Sequence, residues 1–204
     1  MTSPPPRVDW AAALEPRAPD LVQAWRGVDR GAFLSVRREV RHRAGEGSAP
    51  RIADQLGALA EALVEIVDGL VAGLTDEDLR RDGGEGGWNV AQAIGHDCDA
   101  RAGLSLAAAR AAAGQWPPDA PRVVPGVAGP ADADRATLVR RVLQSQRIVE
   151  RSARTVAGHE TEVCPLEHPV VGRLRCGEWL LFAGVHDLMH LEQLHGIIRQ
   201  SSAT

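Results

Sequence analysis

Apolar residues recur at helical spacing in four long stretches of this chain. The cleanest stretch is Ile52, Leu56, Leu59, Leu63, Ile66 and Leu70, separated by 4, 3, 4, 3 and 4 residues, which makes a single stripe on an amphipathic helix. Gly73 and the Thr75–Asp78 turn predict its end, and Gly83, Gly84, Gly86 and Gly87 keep the chain irregular as far as Trp88. From Trp88 to about Ala113 the sequence is nearly free of breakers and rich in Ala, which predicts a second helix. Pro117, Pro118, Pro121, Pro125 and Pro130 then mark a long crossover loop from Gly114. A third helix is expected from about Asp132 to Val156, with Leu138, Val142, Ser145, Val149 and Val156 along one face, and Gly158 stops it. The loop from His159 to Arg175 holds Pro165, Pro169 and Gly172, and its Val163, Val170 and Val171 suit a short extended excursion. The fourth helix begins near Cys176–Glu178 and continues to Gln200. With no alternating strand pattern between these stretches, residues 51–204 read as an all-α, antiparallel four-helix bundle.

The first fifty residues form an N-terminal extension. Pro4–Pro6, Pro16 and Pro19 are expected to keep the first twenty residues out of regular structure, and Asp20 is placed to cap a helix with Gln23 three residues on. Leu21, Trp25, Val28, Val36 and Val40 follow helical spacing, so a helical segment over 20–43 should bury that face on the bundle or on a partner protomer in a homodimer. Its end carries Arg37, Arg38, Arg41 and Arg43, which the helix dipole favours at a C-terminus. Residues 44–50, rich in Gly, Ser and Pro, read as a linker.

Composition narrows the function classes. Of 204 residues, 44% are apolar and 25% charged, enough hydrophobic material for one sizeable core. A net charge of -4 offers no field for a phosphate backbone, so nucleic acid is not an expected partner. The apolar stretch Trp179–Val185 is far short of the roughly 20 residues a bilayer-spanning helix needs, so no membrane partner is expected either. The N-terminus lacks a basic region followed by an apolar run, and the expected location is cytoplasmic. Cys98, Cys164 and Cys176 are too few and scattered for a disulfide framework and read as free thiols. All 23 basic residues are Arg, a bias in keeping with a GC-rich genome.

Candidate chemistry lies in the polar interruptions of the fourth helix. His186 and His190, four residues apart, share a face with Cβ atoms about 5–6 Å apart, close enough for both imidazoles to reach one ion. That spacing alone is weak. A third histidine, His96, sits in the second helix among Ala93, Gly95 and Ala100, where small residues leave room. Buried neutral imidazoles are costly unless their nitrogens find partners, and three converging in a bundle core satisfy one another by binding a divalent ion. Three imidazoles with an open position is the donor set of catalytic zinc sites.

The blocks GWNVAQAIGHDCDA and GEWLLFAGVHDLMHLEQL, with HPVVGRL before the second, resemble those of the DinB-like (YfiT-type) superfamily of metal-binding four-helix bundles over roughly residues 51–200. By that resemblance His96, His186 and His190 are the expected metal ligands and Gln193 the recurrent helix-four glutamine, a catalytic candidate. Asp97 and Asp187 each follow a ligand histidine and point about 100° around the helix, which suits surface or supporting positions. Cys98 projects away from the ion, and His195 reads as a solvated or helix-end histidine. His159 and His168 fall in loops, His42 in the basic stretch, and Trp88 is expected in the core.

The resemblance implies a metal-dependent enzyme, the ion being Zn, with Ni or Fe also suited to three imidazoles. It further implies that a low-molecular-weight thiol, mycothiol or similar, is activated for S-transfer to, or isomerisation of, a small electrophile. Two other readings stay open: a metal-dependent hydrolase using water in place of the thiol, and a non-catalytic metal-binding bundle linked to stress.

Overall fold

The computed structural model describes residues 9–28, 48–69, 73–82, 87–120, 122–124, 126–169 and 171–201. The molecule is mostly helical, with six helices among the described residues and one small sheet. The helices are α1 (Trp10–Leu14), α2 (Pro19–Arg26), α3 (Ala49–Asp68), α4 (Val90–Ala112), α5 (Arg135–Val156) and α6 (Cys176–Ser201). A 3-10 turn at Asp78–Arg80 lies between α3 and α4, and the strands β1 (Val163–His168) and β2 (Gly172–Arg175) precede α6. The long helices pack as a bundle, α4 against α5 and α6, and α3 against α5 and α6. Their facing stripes, Leu56, Leu59 and Leu63 with Leu138, Val142 and Val149 and with Leu180, Ala183, Leu188 and Leu191, are buried.

Polar contacts give the relative directions. Arg135 Nη1 donates to the Asp68 carbonyl and Gln146 Nε2 to that of Ala53, joining the start of α5 to the end of α3, so these two helices are antiparallel. Asn89 Nδ2 donates to the Ala131 carbonyl and Arg141 pairs with Asp99, start with start. Helices α4 and α5 therefore run in the same direction, a departure from the expected antiparallel neighbours that the long crossover loop makes possible.

Several ends differ from expectation for local reasons. Helix α3 stops at Asp68 because Gly69 takes the left-handed conformation (φ 82°) that terminates helices, and Leu70, the last residue of the expected stripe, lies outside the described residues. Its backbone there also passes so close to Leu74 N that an added Cβ would lie 2.7 Å away. Helix α5 begins at Arg135, three residues later than expected, with Asp134 Oδ1 accepting from Thr137 N at 2.8 Å as its cap. The extended excursion is an antiparallel hairpin pairing Val163 with Arg175 and His168 with Gly172. The crossover loop joins its edge, Val124 N donating to the Glu167 carbonyl at 3.0 Å.

The N-terminal extension is more ordered than its prolines suggest. Helix α1 forms with Asp9 capping Ala12 N, and Pro19 opens α2 instead of excluding it, since the first helical turn has no use for an amide donor there. Asp20 is not the cap. Gln55 Oε1, reaching across from α3, accepts from Asp20 N at 2.9 Å and Leu21 N at 3.3 Å, while the Asp20 carboxylate takes Gln55 Nε2 and Arg51. Leu21, Val22 and Ala24 are fully buried against α3 and α6. The apolar face of α2, which on sequence called for a partner protomer or the bundle, is covered by the bundle. Val36, Val40, His42 and the arginines at 37–43 lie outside the described residues, and the linker ends earlier than expected because α3 starts at Ala49.

Candidate metal centre

His96 is set two turns into α4 by an anchored helix start. Asn89 and Gln92 cap each other, Gln92 N donating to Asn89 Oδ1 at 2.8 Å and Asn89 N to Gln92 Oε1 at 3.1 Å. His186 and His190 lie one turn apart on α6, facing His96 with ring centroids 5.3 and 5.0 Å away. The three rings offer one ligand atom each within 4.8 Å of one another, a group that could hold a metal ion. Thus the structure brings together the three histidines expected from sequence.

Each ring is oriented from outside. His96 Nδ1 donates to the Val127 carbonyl at 2.7 Å, and His190 Nδ1 to Gln193 Oε1 at 3.1 Å. These bonds call for a proton on Nδ1, so that in the neutral ring Nε2 is the atom with a lone pair to offer. His186 Nδ1 faces the Asp97 carboxylate at 3.6 Å. The Nε2 atoms of His186 and His190 face one another at 3.4 Å. Two ring nitrogens at that separation call for a proton or a cation between them, and three imidazole nitrogens are a donor set that divalent transition metals accept. Burial, foremost, with the neighbouring histidines, lowers the pKa of His186 despite the opposing pull of Asp97, so its ring is neutral near pH 7.

Behind the histidines lies a buried ionic layer that the spacing argument missed. Asp97 and Asp187, for which surface positions had been among the expectations, are both fully buried, as is Arg101. Arg101 Nε stands 3.3 Å from Asp187 Oδ2, while its Nη2 donates to the Leu56 carbonyl at 2.7 Å and Gln146 Oε1 at 2.8 Å. Burial raises the Asp187 carboxyl well above the usual range against the pull of Arg101. For Asp97 burial acts upward too, but contact with His186 and the charge of Arg101 hold it below the ordinary value. The pair thus accommodates one negative charge next to one guanidinium, the cheaper way to bury two carboxylates. Asp97, His186 and Asp187 are also near enough for ligation, but Arg101 already supplies the cation on that side. One sequence signal pointed here: Asp97 and Arg101 are four residues apart, one turn, in a helix rich in small and apolar residues.

Other rings complete the surroundings. Trp88, expected in the core, is half-buried and lies 4.8 Å from the His96 ring. Phe182 lies 6.2 Å from His186 and 5.0 Å from His168, which sits at the end of β1 and not in a loop. The remaining candidates are elsewhere: His195 stacks on Trp10 at 5.6 Å, and His159 pairs with Glu162. Burial pushes the Cys98 and Cys176 thiols up to about 12. The Val127 carbonyl carries no side-chain signature and was invisible to motif reading.

Comparison with known proteins found no match among curated proteins and none among solved structures. No helix among the described residues is long and apolar enough to cross a membrane. The family model of the DinB superfamily matches residues 58–194, which span His96, His186, His190 and Gln193, and the chain belongs to that superfamily.

Proposed function

We propose that this protein is a metal-dependent enzyme whose ion is held by His96, His186 and His190 at the core of a four-helix bundle, and that it uses a low-molecular-weight thiol against a small electrophile. The observation that carries the metal reading is the convergence of three imidazoles with Nδ1 of His96 and His190 committed to outer acceptors and with His186 and His190 Nε2 facing at 3.4 Å. A bound ion, Zn being the best match to three neutral nitrogens, would supply Lewis-acid chemistry that favours the thiolate of a coordinating thiol at neutral pH.

The chain's own residues divide the remaining work. Val127 and Gln193 fix the protons of His96 and His190 on Nδ1. Asp97 faces His186 and offers negative charge beside it. The Trp88 and Phe182 rings flank the histidines with apolar surface that favours an organic substrate over bulk water. A thiol brought by a small molecule fits better than a protein nucleophile, because burial keeps Cys98 and Cys176 protonated and poorly reactive. The test is metal analysis of untagged protein, followed by a screen of thiols against electrophiles with and without added zinc. Turnover that needs both zinc and thiol supports the reading. Tight zinc with no thiol-dependent turnover would leave metal binding standing and remove the transferase or isomerase assignment.

A further inference from the structure

The crossover loop between α4 and α5 meets the metal centre at the Val127 carbonyl, 2.7 Å from His96 Nδ1. Beside that carbonyl is a glycine-to-glycine contact, between Gly129, two residues past Val127, and Gly95, the neighbour of His96. Gly129 N donates to the Gln92 carbonyl at 3.1 Å, and a Cβ on Gly129 would lie 2.6 Å from Gly95 Cα, 2.7 Å from the Gln92 oxygen and 2.8 Å from Gly95 C. Reciprocally, a Cβ on Gly95 would lie 2.9 Å from Pro130 Cδ and 3.0 Å from Gly129 Cα. All but one of these neighbours are backbone, and Pro130 Cδ belongs to a rigid ring. None can turn aside as a flexible side chain would. Neither glycine has a positive φ, so their requirement is close approach and not conformation.

We infer that Gly95 and Gly129 are positioning residues for His96: their contact straps the crossover loop onto α4 so that the Val127 carbonyl fixes the Nδ1 proton of the ligand and leaves Nε2 for the ion. The inference rests on the metal reading above. It has a thermodynamic corollary, since coupling between loop docking and metal binding is reciprocal. If docking strengthens the site, metal occupancy strengthens docking by the same factor. The exposed Val127 side chain, at the point where the strap meets the histidine, lies on the segment whose order would follow the ion.

Zinc affinity should be measured by chelator competition in wild type, Gly129→Ala, Gly95→Ala, Gly103→Ala and His186→Ala. Losing an outer hydrogen bond to a ligand histidine weakens metal binding by about 10 to 100-fold, the loss expected for Gly129→Ala and Gly95→Ala. Gly103→Ala, whose Cβ meets open space on the same helix, should match wild type. Nitrogen-15 spectra of the imidazoles should show the His96 Nδ1 proton in wild type and lose it in Gly129→Ala. In wild type itself, zinc should slow hydrogen exchange at the Gly129 amide. That last measurement needs no substitution, so it decides the matter even where Gly129→Ala does not fold. Zinc bound by wild type, lost in His186→Ala and unchanged in Gly129→Ala, or a Gly129 amide indifferent to zinc, overturns the strap and leaves the metal reading intact. Wild type and His186→Ala binding alike would instead bring down the metal reading.

Discussion

Replacing Gly184 by alanine should set α6 against α2, and the size of the conflict follows from one contact. A Cβ at Gly184 would lie 2.6 and 2.7 Å from the two methyl carbons of Leu21 and 3.1 Å from its Cγ. Leu21 is fully buried and has nowhere to retreat. Overpacking of this kind costs about 1–3 kcal/mol, while alanine regains about 1 kcal/mol of helix propensity, so Gly184→Ala should be destabilising by ~0–2 kcal/mol. Leu21→Ala opens a cavity at the same place and should cost about 2–5 kcal/mol, lowering Tm by ~4–20 °C for a chain of this size. In the Leu21→Ala background the clash is gone, and Gly184→Ala should become neutral or stabilising by up to about 1 kcal/mol. A coupling energy of about 1–3 kcal/mol between the two sites is therefore expected from urea unfolding followed by circular dichroism. Gly184 lies two residues before His186, about 200° around the helix, so metal affinity should not change in any of the four proteins. An identical effect of Gly184→Ala in both backgrounds would mean that α2 is not seated on α6 through Leu21.

Three other outcomes follow from the site. Arg101→Met should lower stability by about 3–5 kcal/mol, because it leaves the one negative charge of the buried pair, held on Asp97, without its guanidinium; adding Asp97→Asn to it should recover part of the loss, and denaturant unfolding of both variants checks this. Gln193→Ala should keep the zinc site but weaken affinity or turnover by about 10 to 100-fold, with His190 losing its outer acceptor, whereas equal values for variant and wild type would make Gln193 a packing residue. Burial, with the charge of His186, lowers the His168 pKa from 6.5 to about 4, so between those values the unfolded chain binds more protons than the folded one. His168 therefore contributes stability above pH 6.5 that is lost as pH falls toward 4, and His168→Gln should flatten the pH dependence of unfolding in that window relative to wild type.

The sequence was most legible where one local rule decided the outcome. The 3,4 spacing from Ile52 to Ile66, an extended excursion starting at Val163 and the start of α6 near Cys176 all emerge close to expectation, while Val171 falls in the turn and Val170 lies outside the described residues. Boundaries failed where a distant residue took over a local role: Gln55 on α3 caps α2 in place of Asp20, a partner 35 positions away that no helix-start pattern contains. Helix direction is similarly remote, since the antiparallel expectation came from counting helices, while the parallel course of α4 and α5 depends on where the crossover loop lands. Within the site, the three histidines and Gln193 were readable because they are polar interruptions of apolar faces. For Asp97 and Asp187 the supporting position fits and the surface position does not, because burying them depends on Arg101, which supplies the opposite charge from within the same layer. The Val127 carbonyl and the Gly95–Gly129 approach belong to the backbone, where residue identity says little about contact.

The most direct measurement of the central claim is a zinc titration, by chelator competition, of untagged wild type beside His96→Ala, His186→Ala, His190→Ala and His195→Ala. Removing one of three converging donors leaves too few to retain the ion, so the first three variants should lose zinc sharply. His195, stacked on Trp10 and outside the cluster, should bind as wild type does. Equal zinc affinity in all five proteins, or a loss in His195→Ala as large as in the other three, would contradict the assignment of His96, His186 and His190 as the metal ligands.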